Sequence, residues 1–487
     1  MHKGLALLVG GVWYSFAFYL SYLRYLNPDL EYQHYYLIDR DYASTVLTFA
    51  LAVAPLLAYG WFRAATDLPA IAIYVACYVP GIFTVFLALD RALPEIRLVQ
   101  LTLMLGMSLI FLASRPVSAN LLNLREPVLP EKSLGLFAAL VFVIVLGSYA
   151  GQMRWVSFEN VYDIRYENAA SDRNFIVLYM VMWLSYAVLP FFLAYGLKTG
   201  NRWWIATGIG AGLVVYMSTG AKAAFLLVPV MLAAYLLLRL RGDMLTKTLL
   251  LLGSIVAVLV LAPWDTENAQ MTRAVLLARA LGSGGWSIFT YYEFFDANPK
   301  TYFSHINIIQ SLFGRYPYGN LTIGNVIGTQ YAPDETVNFN ASFWATDGLA
   351  ALGLPGVLIV SAAVAVSFFV INWVTARYDT KFVALVFTGF AISLINASLF
   401  MSLLSGGAVV LMLLFVFVQL DDKALRVDDV AEADDARADE DDDDYRADGA
   451  DDDADYRADG ALDDEADDEV GDEVDAQADR ARSLQLV

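Results

Sequence analysis

Long apolar runs recur along this chain, each close to the length of one membrane crossing, with short polar connections between them. A helix needs about 20 largely apolar residues to cross roughly 30 Å of hydrocarbon. By that measure the pattern predicts about twelve spanning helices, near residues 4–23, 45–62, 68–89, 98–114, 134–150, 176–197, 203–219, 222–238, 248–264, 350–373, 382–401 and 404–420. The first run outlasts the apolar core of a cleavable signal, and Arg24-Tyr25-Leu26-Asn27 follows it in place of a small-residue cleavage site. It is read as a retained helix.

Two connections and one terminus break the rhythm. Residues 151–175 are polar and mixed in charge, and residues 265–349 are far longer than an ordinary connection. Long loops are usually functional or disordered. This one is rich in Tyr, Phe, Trp and Asn, with helical periodicity over residues 271–281, and reads as a folded extracellular cap with interfacial helices. Beyond residue 420 the apolar runs stop.

Composition sharpens this division. The chain of 487 residues is 58% hydrophobic and 17% charged, with a mean hydropathy of +0.53. A soluble domain carries about a quarter charged residues, so a conventional soluble enzyme is excluded. The formal charge of −20 belongs to residues 421–487, which hold 29 acidic and seven basic residues and sum to −22, leaving +2 for residues 1–420. The segment Asp444-Tyr445-Arg446-Ala447-Asp448-Gly449-Ala450 recurs as Asp455-Tyr456-Arg457-Ala458-Asp459-Gly460-Ala461. So few large apolar residues cannot offset ordering entropy, and a disordered acidic tail is expected. The expected organisation is a membrane domain over 1–420 and a cytoplasmic tail over 421–487. The tail's preference for Asp, with Arg above Lys throughout, fits a proteome adapted to high internal salt, as in halophilic archaea. No basic face suits nucleic acid, and the single Cys77 excludes an intrachain disulfide and any Cys-based metal cluster.

Lys and Arg set the orientation. With the N-terminus in the cytoplasm, twelve basic residues fall on short inner connections; the outer side also has twelve, but Arg273, Arg279, Lys300 and Arg315 share the one long loop that the rule discounts. Both termini are therefore expected in the cytoplasm of a multi-pass protein of the cell membrane. Charges inside a span usually mark ion or proton pathways. Residues 176–197 and 382–420 contain none, and Asp67, Asp90 and Lys222 fall at span ends, within reach of the interface. The polar chemistry gathers on the outer side instead.

Four stretches carry that chemistry. Tyr162-Asp163-Ile164-Arg165 offers a guanidinium fork for phosphate, or an exposed surface pair of little energetic weight. Ser218-Thr219-Gly220-Ala221-Lys222 forms a tight turn whose lysine opposes the dipole of the helix it begins. Either it meets an anion there or it snorkels. Arg273 and Arg279 are six residues apart and project on different sides of a helix. Trp286, Tyr291, Tyr292, Phe294 and Phe295, with Glu293 and Asp296, read equally as a sugar platform or as an interfacial aromatic belt. Asn338, Asn340, Asp347 and the glycines that follow suit helix capping and close packing. His34 and His305 stand alone in the sequence, and Asn320-Leu321-Thr322 and Asn340-Ala341-Ser342 match the glycan acceptor pattern.

Together, over roughly residues 130–420, these stretches resemble the oligosaccharide repeat-unit polymerases, the Wzy-like family related to the O-antigen ligases. The resemblance rests on Val161 to Arg165, on the Thr219-Gly220-Ala221-Lys222 turn, on Arg279 followed by Tyr291-Tyr292-Glu293-Phe294-Phe295, and on Asn340 to Phe343, Asp347-Gly348, Gly353 and Gly356. Lys222 stands where bacterial members commonly carry Arg, so a point charge replaces a two-pronged contact.

The resemblance implies a glycosyltransferase with no nucleotide sugar, cofactor or metal, which extends a glycan carried on polyprenyl or dolichyl (di)phosphate. It implies that Lys222 with Arg273 or Arg279 holds the carrier phosphate and that Arg165 positions a sugar phosphate. Asp163, Glu293, Asp296 or His305 would take the acceptor proton. Tyr162, Tyr291, Tyr292, His305, Asn338, Asn340 and Asp347 would line the substrate. Its partners would be lipid-linked oligosaccharides, membrane lipid and other polysaccharide-assembly proteins. Two rivals remain: a metal-dependent dolichyl-phosphate-sugar transferase using Asp39-Arg40-Asp41, and a flippase for lipid-linked glycans.

Overall fold

The computed structural model describes residues 3–31, 34–118, 126–157, 174–263, 270, 272–273, 276–306, 310, 316–331 and 344–420. Contacts divide the chain into one unit over Met1–Val427 and another over Asp428–Val487. The acidic tail lies outside the described residues.

The described residues are helical, and nine helices are long and apolar enough to cross a membrane. In chain order the elements are α1 (Lys3–Leu30), α2 (Tyr42–Leu57), α3 (Asp67–Ala88), α4 (Leu93–Ala113), α5 (Lys132–Tyr149) and α6 (Phe175–Thr199). Then come α7 (Arg202–Thr219), α8 (Lys222–Arg239), α9 (Met244–Leu261), α10 (Ser283–Ala297), α11 (Ile323–Tyr331) and α12 (Trp344–Leu352). The last are α13 (Leu354–Val374), α14 (Thr380–Val386), α15 (Thr388–Leu394) and α16 (Leu399–Phe417). The nine are α1, α3, α4, α5, α6, α8, α9, α13 and α16. The shorter α2, the less apolar α7 and the α14–α15 pair, broken at Phe387, fall at the other three positions the sequence predicts.

Prolines explain a repeated irregularity. Wide π-helical turns occupy Tyr22–Leu26, Tyr74–Tyr78 and Leu184–Val188. Each ends two residues before a proline: Pro28, Pro80 and Pro190. A proline inside a helix lacks the N–H for its bond and clashes with the carbonyl four residues back. One extra residue in the preceding turn relieves both while the helix continues.

Buried polar contacts fix how the two ends of the bundle assemble. At one end Asp243 caps α9 by accepting from Thr246 N (2.9 Å), and also binds Tyr59 OH and Phe62 N, both at 3.0 Å. Asp67 accepts from the backbone of Arg63 (2.7 Å) and Ala64 (2.8 Å) and from Ser114 Oγ (2.8 Å). Asn372 of α13 reaches Thr66 Oγ1 (2.8 Å) and Arg115 O (3.1 Å). Lys198 pairs with Asp379 at 3.1 Å. The sequence reading had Asp67 reaching the interface; instead it is 0% exposed. Its carboxylate satisfies loop donors that burial would otherwise strand. At the opposite, distal end, Tyr25 OH binds Val260 O (3.0 Å), and Arg91 pairs with Asp296 (3.0 Å).

The long segment predicted as an interfacial cap enters the bundle. Eleven of the 15 residues of α10 and eight of the nine of α12 are buried. Glycines permit this, because a Cβ at Gly284 would lie 2.1 Å from Ala76 O and one at Gly285 would lie 2.5 Å from Pro80 O. With Gly81 against Ile288 in turn, α10 runs parallel to α3 in direct backbone contact. The chain leaves α12 at Gly353, whose φ of +71° favours glycine, and α13 folds back against it. There a Cβ at Gly348 would lie 2.4 Å from Val357 N. The Trp344 indole donates to Ser361 Oγ at 2.6 Å, two turns along α13. Both α10 and α12 are thus short inner helices that end at the distal face.

Candidate functional site

The distal ends of α3, α4 and α10 share a set of charged and phenolic groups. Arg91 bonds Asp296 Oδ2 at 3.0 Å and lies 3.7 Å from Glu95 Oε1, which accepts from Tyr292 OH at 2.9 Å. Burial, reinforced by Glu95, pushes the Tyr292 phenol up from its ordinary value. On the next position of α10, Glu293 is half-buried, and burial holds its carboxyl above the usual carboxylate range. Its one described hydrogen bond is a long one, 3.5 Å from Tyr331 OH. The Tyr331 ring meets Trp286 at 5.8 Å and His34 at 4.8 Å, both edge-on. Partial burial lowers the His34 pKa.

A tighter constellation lies beside α12. Thr301 N donates to Ala350 O (2.8 Å) and Tyr302 N to Ala351 O (3.0 Å), which pins residues 301–302 along the helix. Tyr302 and Phe303 then take φ of 49° and 63°. Left-handed conformations in bulky residues persist only where the surroundings enforce them. This bend turns His305 back toward α12.

His305 Nδ1 lies 2.7 Å from Thr301 Oγ1, and the Thr301 hydroxyl donates to Ala350 O at 3.1 Å. Because that hydroxyl hydrogen is committed to the carbonyl, Thr301 accepts from Nδ1–H, an assignment inferred from the network. Nε2 of the neutral ring then carries a lone pair. It faces Asp347 Oδ1 at 3.7 Å, with side-chain exposures of 8% and 3%. That separation exceeds a hydrogen bond, and among the described residues neither atom has a hydrogen-bond partner. Two buried acceptors facing each other call for a proton between them, on the imidazole itself or on a bound hydroxyl.

The other residues singled out from sequence fall in different places. Tyr291 is 1% exposed, with its ring tilted against Phe295 at 5.9 Å, so it belongs to the core and presents no open platform. Arg273 is 7% exposed, with its guanidinium 3.5 Å over the Tyr25 ring, whereas Arg279 is exposed. The six-residue spacing did send them to different environments. Lys222 opens α8 directly after the left-handed Gly220 and is half-buried. Tyr162, Asp163, Arg165, Asn338 and Asn340 lie outside the described residues.

The sequence reading missed Arg91, Glu95, Thr301 and Tyr331, each a neighbour of a residue it named. All four meet their partners only through the fold; Thr301 and His305 come together across the left-handed bend at Tyr302 and Phe303. Among the described residues no group of three or more His, Cys, Asp and Glu side chains is placed to hold a metal ion. No family model, no curated protein and no solved structure matches this chain, so its functional reading stands on this geometry and on the residues themselves.

Proposed function

We propose that this protein is a glycosyltransferase of the cell membrane that joins lipid-linked oligosaccharide units into a longer surface glycan at the outer face, with the distal end outermost. The observation that carries the reading is the buried His305–Asp347 pair, poised to accept a proton where two inner helices meet that face. In this mechanism the acceptor hydroxyl sits against His305 Nε2 and gives up its proton as its oxygen bonds the anomeric carbon. The bond from that carbon to the carrier phosphate breaks, and the carrier leaves as an anion. Asp347 stabilises the imidazolium that forms, the role a carboxylate plays beside a histidine base. Lys222 with Arg273 or Arg279 is proposed to receive the departing phosphate, and Arg165 to position a sugar phosphate.

The test is a reconstituted protein supplied with two distinguishable lipid-linked oligosaccharides. Longer lipid-linked products from the wild type, absent with His305→Ala, are expected. Equal product length from both proteins would overturn the assignment.

A second reading draws on the same pair. A buried titratable group inside a bundle also suits a proton-coupled flippase for lipid-linked glycans. In the same vesicles, relocation of both oligosaccharides without any gain in length identifies that activity.

A further inference from the structure

At the distal end, α10 and the α12–α13 turn line an open cavity of about 250 Å³ bordered by Tyr292, Asp296, Lys300, Leu352, Gly353, Leu354 and Pro355. That is smaller than the ~300–1,000 Å³ of sites for drug-sized ligands and suits a single ring. Its walls are of two kinds. Leu352, Leu354 and Pro355 present apolar surface, and Asp296 and Lys300 bring one charge of each sign.

Both charged groups are positioned, and both retain bonding capacity. Asp296 Oδ2 is engaged by Arg91 at 3.0 Å, which leaves Oδ1 as an acceptor. The Lys300 stem crosses Gly353, where a Cβ would come within 2.9 Å of Cε. Its ammonium donates to Phe295 O at 3.1 Å, near the C-terminus of α10, where a cation is favourable. One of its three N–H donors is thereby used.

We infer that this cavity binds one neutral pyranose ring. A sugar ring has an apolar C–H face, which matches Leu352, Leu354 and Pro355, and a rim of adjacent hydroxyls. One hydroxyl donates to Asp296 Oδ1 while its neighbour accepts from Lys300. Arg91 and Lys300 are balanced by Glu95 and Asp296, so a charged ring gains no net attraction to offset the cost of desolvating it. The cavity is linked to the proposed reaction site through the chain: Lys300 precedes Thr301, and Leu349 shares α12 with Asp347 on a different face of the helix. The ring's identity as part of the acceptor glycan rests on the proposed transferase reading; the binding itself does not.

The full chain in nanodiscs, with no lipid-linked donor present, is titrated with the methyl pyranosides of glucose, mannose and galactose and with methyl glucuronide, followed by saturation-transfer NMR. At least one neutral glycoside is expected to bind, and the glucuronide about tenfold more weakly or not at all. Asp296→Asn and Lys300→Ala should each weaken that binding about tenfold, the effect of losing one hydrogen bond to a charged group. Absence of neutral-glycoside binding, preference for the glucuronide, or rim variants that bind as the wild type does would each overturn the inference. The glycoside comparison uses unaltered protein and so stands apart from any folding defect. Loss of glycan elongation in the transferase assay is a separate result, so either idea can fail alone.

Discussion

His305 Nε2 and Asp347 Oδ1 face each other across 3.7 Å, both buried and neither hydrogen-bonded among the described residues. Thr301 sets the histidine's tautomer from the other side of the ring, at 2.7 Å. If His305 is the proton acceptor, Asp347→Asn should lower the elongation rate by about 100-fold or more, the usual contribution of a positioned base and its supports. Thr301→Val removes the Nδ1 acceptor and should cost less, about tenfold, with Thr301→Ser restoring the rate and the pH profile. A Val variant that matches the wild type across pH would remove Thr301 from its positioning role.

Glu293 supplies a pH test. Burial raises its folded pKa above the ordinary carboxylate value, so the neutral form is favoured in the folded state. The stability linked to it is fully present below the unfolded pKa of about 4.3 and is lost as pH rises through the raised folded value. The thermal midpoint of the wild type should therefore fall relative to Glu293→Gln as pH climbs through that window. Melting curves in nanodiscs that keep a constant difference between the two proteins would contradict this account.

Close helix contact predicts a contrast among glycines. Gly284→Ala forces a methyl group to within 2.1 Å of Ala76 O, and Gly348→Ala to within 2.4 Å of Val357 N. Each should destabilise by about 1–3 kcal/mol, the usual cost of overpacking a tight interface. Gly147 and Gly210 lie in helices with nothing within 4 Å of a Cβ, and alanine there should be neutral or slightly stabilising. Equal thermal midpoints for all four variants would show that α10 and α12 do not pack as described.

Asp243 should matter far more than a surface acid. It holds Tyr59, Phe62 and Thr246 while 3% exposed. Asp243→Ala strands buried donors and removes the α9 cap, at a cost of about 2–4 kcal/mol. Glu126, whose side chain is 94% exposed in its 3.6 Å pair with Arg377, should be replaceable by Ala with no measurable shift in thermal unfolding.

Run length and apolarity alone located the helices that cross the bundle, because hydrocarbon leaves a backbone no partner but its own helix. The depth of α10 and α12 was not legible in this way. Their aromatic and small residues suit an interfacial helix as well as an inner one, and only the close approach of Gly284 to Ala76 and of Gly348 to Val357 decides between them. Arg273 is buried and Arg279 exposed, and Asp67 is buried rather than interfacial because burial depends on which loops close over a helix end. His305 looked isolated because its partner lies on another helix, and the bend at Tyr302 and Phe303 that joins them is imposed by tertiary contacts. Periodic, local forces were written in the chain; the meeting of two acceptors from distant segments is a property of packing, and packing is settled only when every segment is in place.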